Sequence, residues 1–210
     1  MPSRVELVSL FAAADDTNPS TNGFPISGPL LSSSQFLGTP QIPVADPQVW
    51  IVDVSTRYLD HYDASGKGTA VCVRSKAGAH ANPTPPTRVL TADVVNDTGT
   101  GLFWERTPHS IWDTHAASKA YCAALSLGGY DDWRMPSIEE MLTISEPERL
   151  WPSINTSDFP GDEGIESGWF WSATPYPMPQ TYHYAPGLNF GGVYSMGQYE
   201  DAPLLVRCVR

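Results

Sequence analysis

The side chains able to do chemistry in this 210-residue chain are three cysteines, five histidines, two carboxylate pairs and a crowd of aromatic rings. Cys72, Cys122 and Cys208 are an odd set, so at least one thiol is left over. One bridge, or separate buried thiols, are both open at this point. His109, His115 and His183 form no zinc signature, because neither H-E-x-x-H nor C-x-x-C occurs. They read as isolated surface histidines. Asp131-Asp132 and Asp162-Glu163 lack the alternating oxygen donors of a calcium loop and read as solvated acidic faces. No G-x-S-x-G elbow and no phosphate-binding loop is present. With so many acids, a chance carboxylate pair proves no glycosidase. The expectation is a protein with no catalytic, cofactor-binding or metal-binding residue.

The aromatic residues are more informative. Trp169, Trp171, Tyr176, Tyr182, Tyr184, Tyr194 and Tyr199 crowd into the last third of the chain. Strand alternation sends Trp169 and Trp171 to one face and Phe170 to the other. Core is the competing reading for the tryptophans. The tyrosines lie among prolines and glycines, where exposure is expected. Tyrosine offers large contact area at low entropy cost, with a hydroxyl for hydrogen bonds. Trp169, Trp171, Tyr176, Tyr182, Tyr184 and Tyr199 are therefore the candidate ligand contacts, suited to a glycan or a protein surface.

Those residues need elements to hold them. Thr114 to Leu127 suits a helix with Ala117, Tyr121, Ala124 and Leu125 on one face, stopped by Gly128-Gly129. Pro136, Ser137 and Glu140 open a second helix with a capping box. Between them, Tyr130-Asp131-Asp132-Trp133-Arg134 reads as a turn whose Trp133 is core and whose Arg134 pairs with a carboxylate. Strands are expected at Val89–Asn96, Leu102–Glu105, Trp169–Ala173, Gly187–Tyr194 and Pro203–Arg210, with loops at Trp151–Gly168 and Thr174–Pro186. Short strands, two helices and long loops give an α+β domain.

YCxxL, LGGYxDWRxPxxxE, FWSAT and the terminal VRCVR, after an opening V-x-D-x-x-T-G-L-x-W at Val95 to Trp104, resemble the Lcl C-terminal-like family (DUF1566) over about residues 90–210. In that resemblance Tyr130, Asp132, Trp133, Arg134, Pro136 and Glu140 are motif residues. It places Cys122 and Cys208 in two of the motifs and favours a disulfide between them. A first helix tied to a last strand implies a C-type-lectin-like fold, with two short helices and a small, mainly antiparallel twisted sheet. The lectin motifs EPN, QPD and WND are absent.

Residues 1–75 echo the second half. Met1-Pro2-Ser3 with Glu6 matches Met135-Pro136-Ser137 with Glu140, Asn18 to Asn22 matches Trp151 to Asn155, and Val52 to Arg74 matches Leu188 to Arg210 without a gap. Residues 1–75 thus read as the C-terminal half of one copy, 76–88 as a Pro/Ala-rich linker and 89–210 as a complete copy. Within 1–75, a short helix is expected at Pro2–Ala14 and a loop at Phe24–Pro47. Strands follow at Val49–Val54, Arg57–Tyr62 and Ala70–Arg74. Cys72 occupies the position of Cys208 and is expected to be a lone thiol. A half sheet without its helix would leave Val49, Ile51 and Val54 in need of a cover, which favours homo-oligomers.

A net charge of −11 disfavours nucleic acid as a partner. No apolar run is long enough to span a bilayer, and no signal peptide is visible, so an export signal would lie upstream of Met1. The expected function is a non-enzymatic binding or adhesion module of an exported or surface bacterial protein. A variable-loop display scaffold and an enzyme resembling the formylglycine-generating type are the alternatives, although both cysteines of the complete copy are assigned to structure.

Overall fold

The computed structural model describes Leu7 and residues 29–36, 48–53, 58–63, 68–70, 87–146, 152–161, 168–176, 182–188 and 195–210. The first strands of the described residues are β1 (Pro29–Phe36), β2 (Gln48–Asp53) and β3 (Tyr58–Asp63), an antiparallel sheet in that order. Thr69 adds a parallel bridge to Leu30. β1 falls where a loop was expected. Its serine-rich sequence, PLLSSSQF, carries little strand signal, and pairing with β2 supplies what propensity does not. Cys72 lies outside the described residues, as do Val54, positions 76–86 of the expected linker and Pro2–Ala14 apart from Leu7; Arg88, expected to end the linker, instead begins the strand Arg88–Leu90.

The second half begins with a sheet of β4 (Arg88–Leu90), β5 (Val94–Asp97) and β6 (Leu102–Glu105). The single strand expected at Val89–Asn96 is a hairpin. Thr91 turns it, its amide and hydroxyl both donating to the Val94 carbonyl. The Asp97 carboxylate then caps the next turn, accepting from Gly99 and Thr100 amides at 2.9 and 3.2 Å. β7 (His109–Asp113) leads into α1 (His115–Ala124), whose N-cap Thr114 accepts from the Ala117 amide.

α1 ends at Leu125, before the glycines. Gly128 and Gly129, at φ 63° and 84°, instead form a two-residue reverse turn closed by reciprocal Leu127–Tyr130 bonds of 3.0 and 3.1 Å. Both central residues need positive φ, so two glycines fit. The buried side of α1 is His115, Ser118 and Cys122 rather than Ala117, Tyr121 and Ala124. The bridge from Cys122 to Cys208 faces that side to the last strand.

α2 (Ile138–Ile144) starts at the expected capping box, with both reciprocal bonds formed. After it come β8 (Tyr182–Pro186), β9 (Ser195–Tyr199) and β10 (Leu204–Val206). β8 and β9 pair with each other, and β10 pairs with β7. β8 occupies the expected loop, because the pairing of Trp169 with Gly187 draws this proline- and tyrosine-rich segment into the sheet. The described residues form a mixed α+β fold with two helices and small antiparallel sheets.

Two apolar clusters hold it. One contains Val95, Trp104, α2's Met141 and Leu142, Phe159, Phe170 and Val209, together with Leu7 and Leu30 from the first segment. The other surrounds the disulfide with Trp133, Trp171, Val206 and Cys208. Phe170 joins the first cluster while Trp169 and Trp171 join the second, as strand alternation requires.

Candidate functional site

The motif between the helices is a structural clamp. Trp133 is buried, and its indole N–H donates to the Leu127 and Tyr130 carbonyls, each at 3.2 Å. The Arg134 guanidinium grips Glu140 with two bonds of 2.8 and 2.6 Å. Burial pushes the Glu140 carboxyl up, but Arg134 and the Ser137 amide outweigh it and hold it below its usual range. Asp132 pairs in the same way with Arg210, whose guanidinium lies 3.8 Å over the Tyr130 ring. The Pro136 carbonyl accepts from the Ala173 amide. Every polar group named here is spent on the fold.

A second tie runs beside the disulfide. Glu105, buried on β6, accepts from the Tyr121 hydroxyl at 2.6 Å and from the Cys208 amide at 3.0 Å. Burial raises its pKa above the usual carboxylate range, against the pull of those bonds. His109 stacks on the Tyr121 ring at 3.8 Å.

Among the described residues, large apolar side chains are exposed at Val89, Leu90, Ile111, Trp112 and, on the β8–β9 hairpin, Tyr199. Tyr182 and Tyr199 face each other across its outermost pair, with ring centroids 4.1 Å apart and planes tilted by 41°. Tyr199 is 56% exposed. The hydrogen bond to Tyr199 pushes the Tyr182 phenol up to about 12. One residue along, on the opposite face of the strand, His183 stacks on His115 with centroids 3.6 Å apart and planes within 18°. His115 sits edge-on to Trp171 at 5.2 Å, and one of its ring nitrogens bonds the Ser172 carbonyl at 3.2 Å. His183 Nδ1 lies 3.6 Å from Glu200, and the Glu200 carbonyl accepts from the His115 amide at 2.8 Å. Burial lowers the pKa of both imidazoles, and for His115 the neighbouring His183 lowers it further. Both shifts favour the neutral ring.

The six candidate ligand contacts therefore divide. Trp171 is fully buried, its indole N–H donating to the Asp113 carbonyl at 2.8 Å, so it is core and offers a ligand nothing. Tyr176 packs against the first cluster, and Trp169 is half-buried against the second. Tyr184 pairs through its backbone with Gly197, and its side chain lies outside the described residues. Tyr182 and Tyr199 remain. The expectation of isolated surface histidines fails for all three, each of which is stacked on another ring. Nothing local in the sequence signals the His115–His183 stack, which depends on where β8 meets α1. Among the described residues no group of three His, Cys, Asp or Glu is placed to hold a metal ion. Asp162 and Glu163 lie outside them.

The profile of the Lcl C-terminal domain matches residues 93–210, more than half of the chain. The chain belongs to the Lcl C-terminal domain family. The Cys122–Cys208 bridge, the clamp and the tyrosine pair all lie within the Lcl C-terminal domain match. No curated protein matches the chain.

Proposed function

We propose that the protein is a non-enzymatic binding module of an exported or surface bacterial protein, serving adhesion. Its ligand, a glycan or a protein surface, sits on the Tyr182–Tyr199 face. The observation that carries this reading is the pair of phenol rings packed together across the β8–β9 hairpin, Tyr199 exposed and Tyr182 half-buried. Aromatic faces of this kind contribute contact area with little ordering cost. The clamp and the disulfide spend their polar groups internally, whereas Tyr199 is turned outward. The neighbouring histidines support binding rather than turnover, because their ring faces are turned to each other and His115 is hydrogen-bonded to the Ser172 carbonyl. A C-type-lectin-like architecture is part of the same proposal. It is supported by the helix, helix, strand order and by the disulfide joining α1 to the segment after β10.

Binding to an immobilised glycan array, followed by Tyr182→Ala and Tyr199→Ala, tests it. Loss of an exposed aromatic anchor is expected to weaken binding about tenfold or more. Array binding by the intact protein that both variants retain undiminished sinks the proposed surface.

A further inference from the structure

The first sheet and the β8–β9 region share one hydrogen-bonding plan. In the first, the Leu31 amide donates to the Thr69 carbonyl and the Thr69 amide to the Pro29 carbonyl. In the second, the Trp171 amide donates to Leu205 and the Leu205 amide to Trp169. Both are parallel bridges, Leu30 with Thr69 and Phe170 with Leu205. The antiparallel side agrees, because Pro29 pairs with Asp53 and Trp169 with Gly187. Stepping along the strands from these anchors sets Gln48 against Tyr182, Val49 against His183, and Asp63 against Tyr199. Burial follows the same register. Leu30 and Phe170, Ser32 and Ser172, Ile51 and Ala185 are six residues buried in three matched pairs. The register also corrects the gapless alignment of Val52–Arg74 with Leu188–Arg210. The outer pairs, Gln48 with Asp63 and Tyr182 with Tyr199, show that the second hairpin is longer by two residues.

We infer that residues 29–69 are a second copy of the strand unit 169–205 whose ligand position is blank, so that, of these two units, the binding face belongs to the second, at Tyr182 and Tyr199. The ligand half of this inference rests on the function proposed above. The two copies keep what the scaffold needs, which is the bridge, the buried serine and the buried strand residues. They differ at the outermost cross-strand pair, where one has glutamine and aspartate and the other two tyrosines. A fold that closes with Gln48 and Asp63 at this position does not require a ring pair there. The rings at 182 and 199 therefore serve something outside the fold.

Two measurements on the full chain decide this. Amide hydrogen exchange read by NMR tests the shared plan: the Leu31 and Thr69 amides are expected to be protected, as Trp171 and Leu205 are. Free-peptide exchange at Leu31 and Thr69 beside protection at Trp171 and Leu205 overturns the duplication. The double variant Tyr182→Gln/Tyr199→Asp installs the first unit's pair in the second. A cross-strand pair contributes little, so Tm is expected to fall by less than about 5 °C while array binding is lost. A larger fall shows that the rings are structural, and an undiminished array signal shows that they are not the contacts; either overturns the blank-position inference. If the intact protein binds no glycan on the array, the glycan reading fails, and the Tm of the double variant still decides whether the rings serve the fold.

Discussion

The two strand units differ most where their surroundings differ. Leu204, Leu205 and Val206 are buried: β10 pairs with β7, Leu204 and Val206 join the cluster around the disulfide, and Leu205 joins the first cluster. At the corresponding place Gly68, Thr69 and Ala70 are exposed. No large apolar side chain stands there. A side chain at position 68 would meet Leu31 at 2.8 Å, so glycine leaves Leu31 room to lie over the edge. The uncovered unit has small and polar residues where the covered one has leucine and valine. Of the strand residues expected to need a cover, Val49 is half-buried and Val54 lies outside the described residues. Ile51 is buried, and Leu30 shares the main apolar cluster with the second half. Context, more than strand propensity, sets composition here.

That contrast can be broken or sharpened by experiment. The largest effect is expected on the covered unit. Cys122→Ser/Cys208→Ser opens a loop of 86 residues, and the chain-entropy relation gives a loss of about 4–5 kcal/mol. Urea unfolding of the oxidised wild type against the variant measures it. A loss below about 1 kcal/mol would mean that the Glu105–Tyr121–Cys208 bonds hold α1 to the last strand unaided.

Next come the matched core residues. Phe170→Ala is expected to cost about 3–5 kcal/mol and Leu30→Ala about 2–5 kcal/mol. Because both residues belong to one cluster, calorimetry should show a single transition shifted down in each variant. A separate low-temperature transition that only Leu30→Ala moves would make the first unit an independent folding body.

The smallest effect concerns acid. His115 and His183 are held below the ordinary histidine value of 6.5. Between that value and their depressed folded values, the unfolded chain binds more protons than the folded one. Their contribution to stability is therefore complete above about pH 6.5 and is lost as pH falls. His183→Val installs the first unit's residue and removes one titrating group. The fall in Tm between pH 8 and pH 5 is expected to be shallower in the variant. Equal slopes in both proteins would rule out the stacked pair as a source of the acid sensitivity.

Local signals were readable in the sequence. The Ser137–Glu140 box, the Arg134 pairing and the buried Trp133 follow from neighbours a few residues apart, and short range makes such features legible. The double glycine was legible as a stop, but its role as a reverse turn depends on a helix ending early. β1 and β8 were hidden because serine and proline mask strands whose pairing lies far away in sequence. The histidine stack was hidden for the same reason, since 68 positions separate His115 from His183. Tyr182 and Tyr199 were found by type alone. Their selection from the six aromatics needed the hairpin register, which buries Trp171 and sets the two tyrosines opposite each other.

The bridge from Cys122 to Cys208 also makes a covalent ring of the chain between them. Tyr182, His183, Tyr199 and Glu200 all belong to that ring. A protease that cuts the backbone once at any bond from residue 123 to residue 207 produces two fragments that stay joined through sulfur. The clip would pass unseen on a non-reducing gel and appear only after reduction. A nick within the ring therefore leaves both strands of the β8–β9 hairpin attached to the rest of the chain.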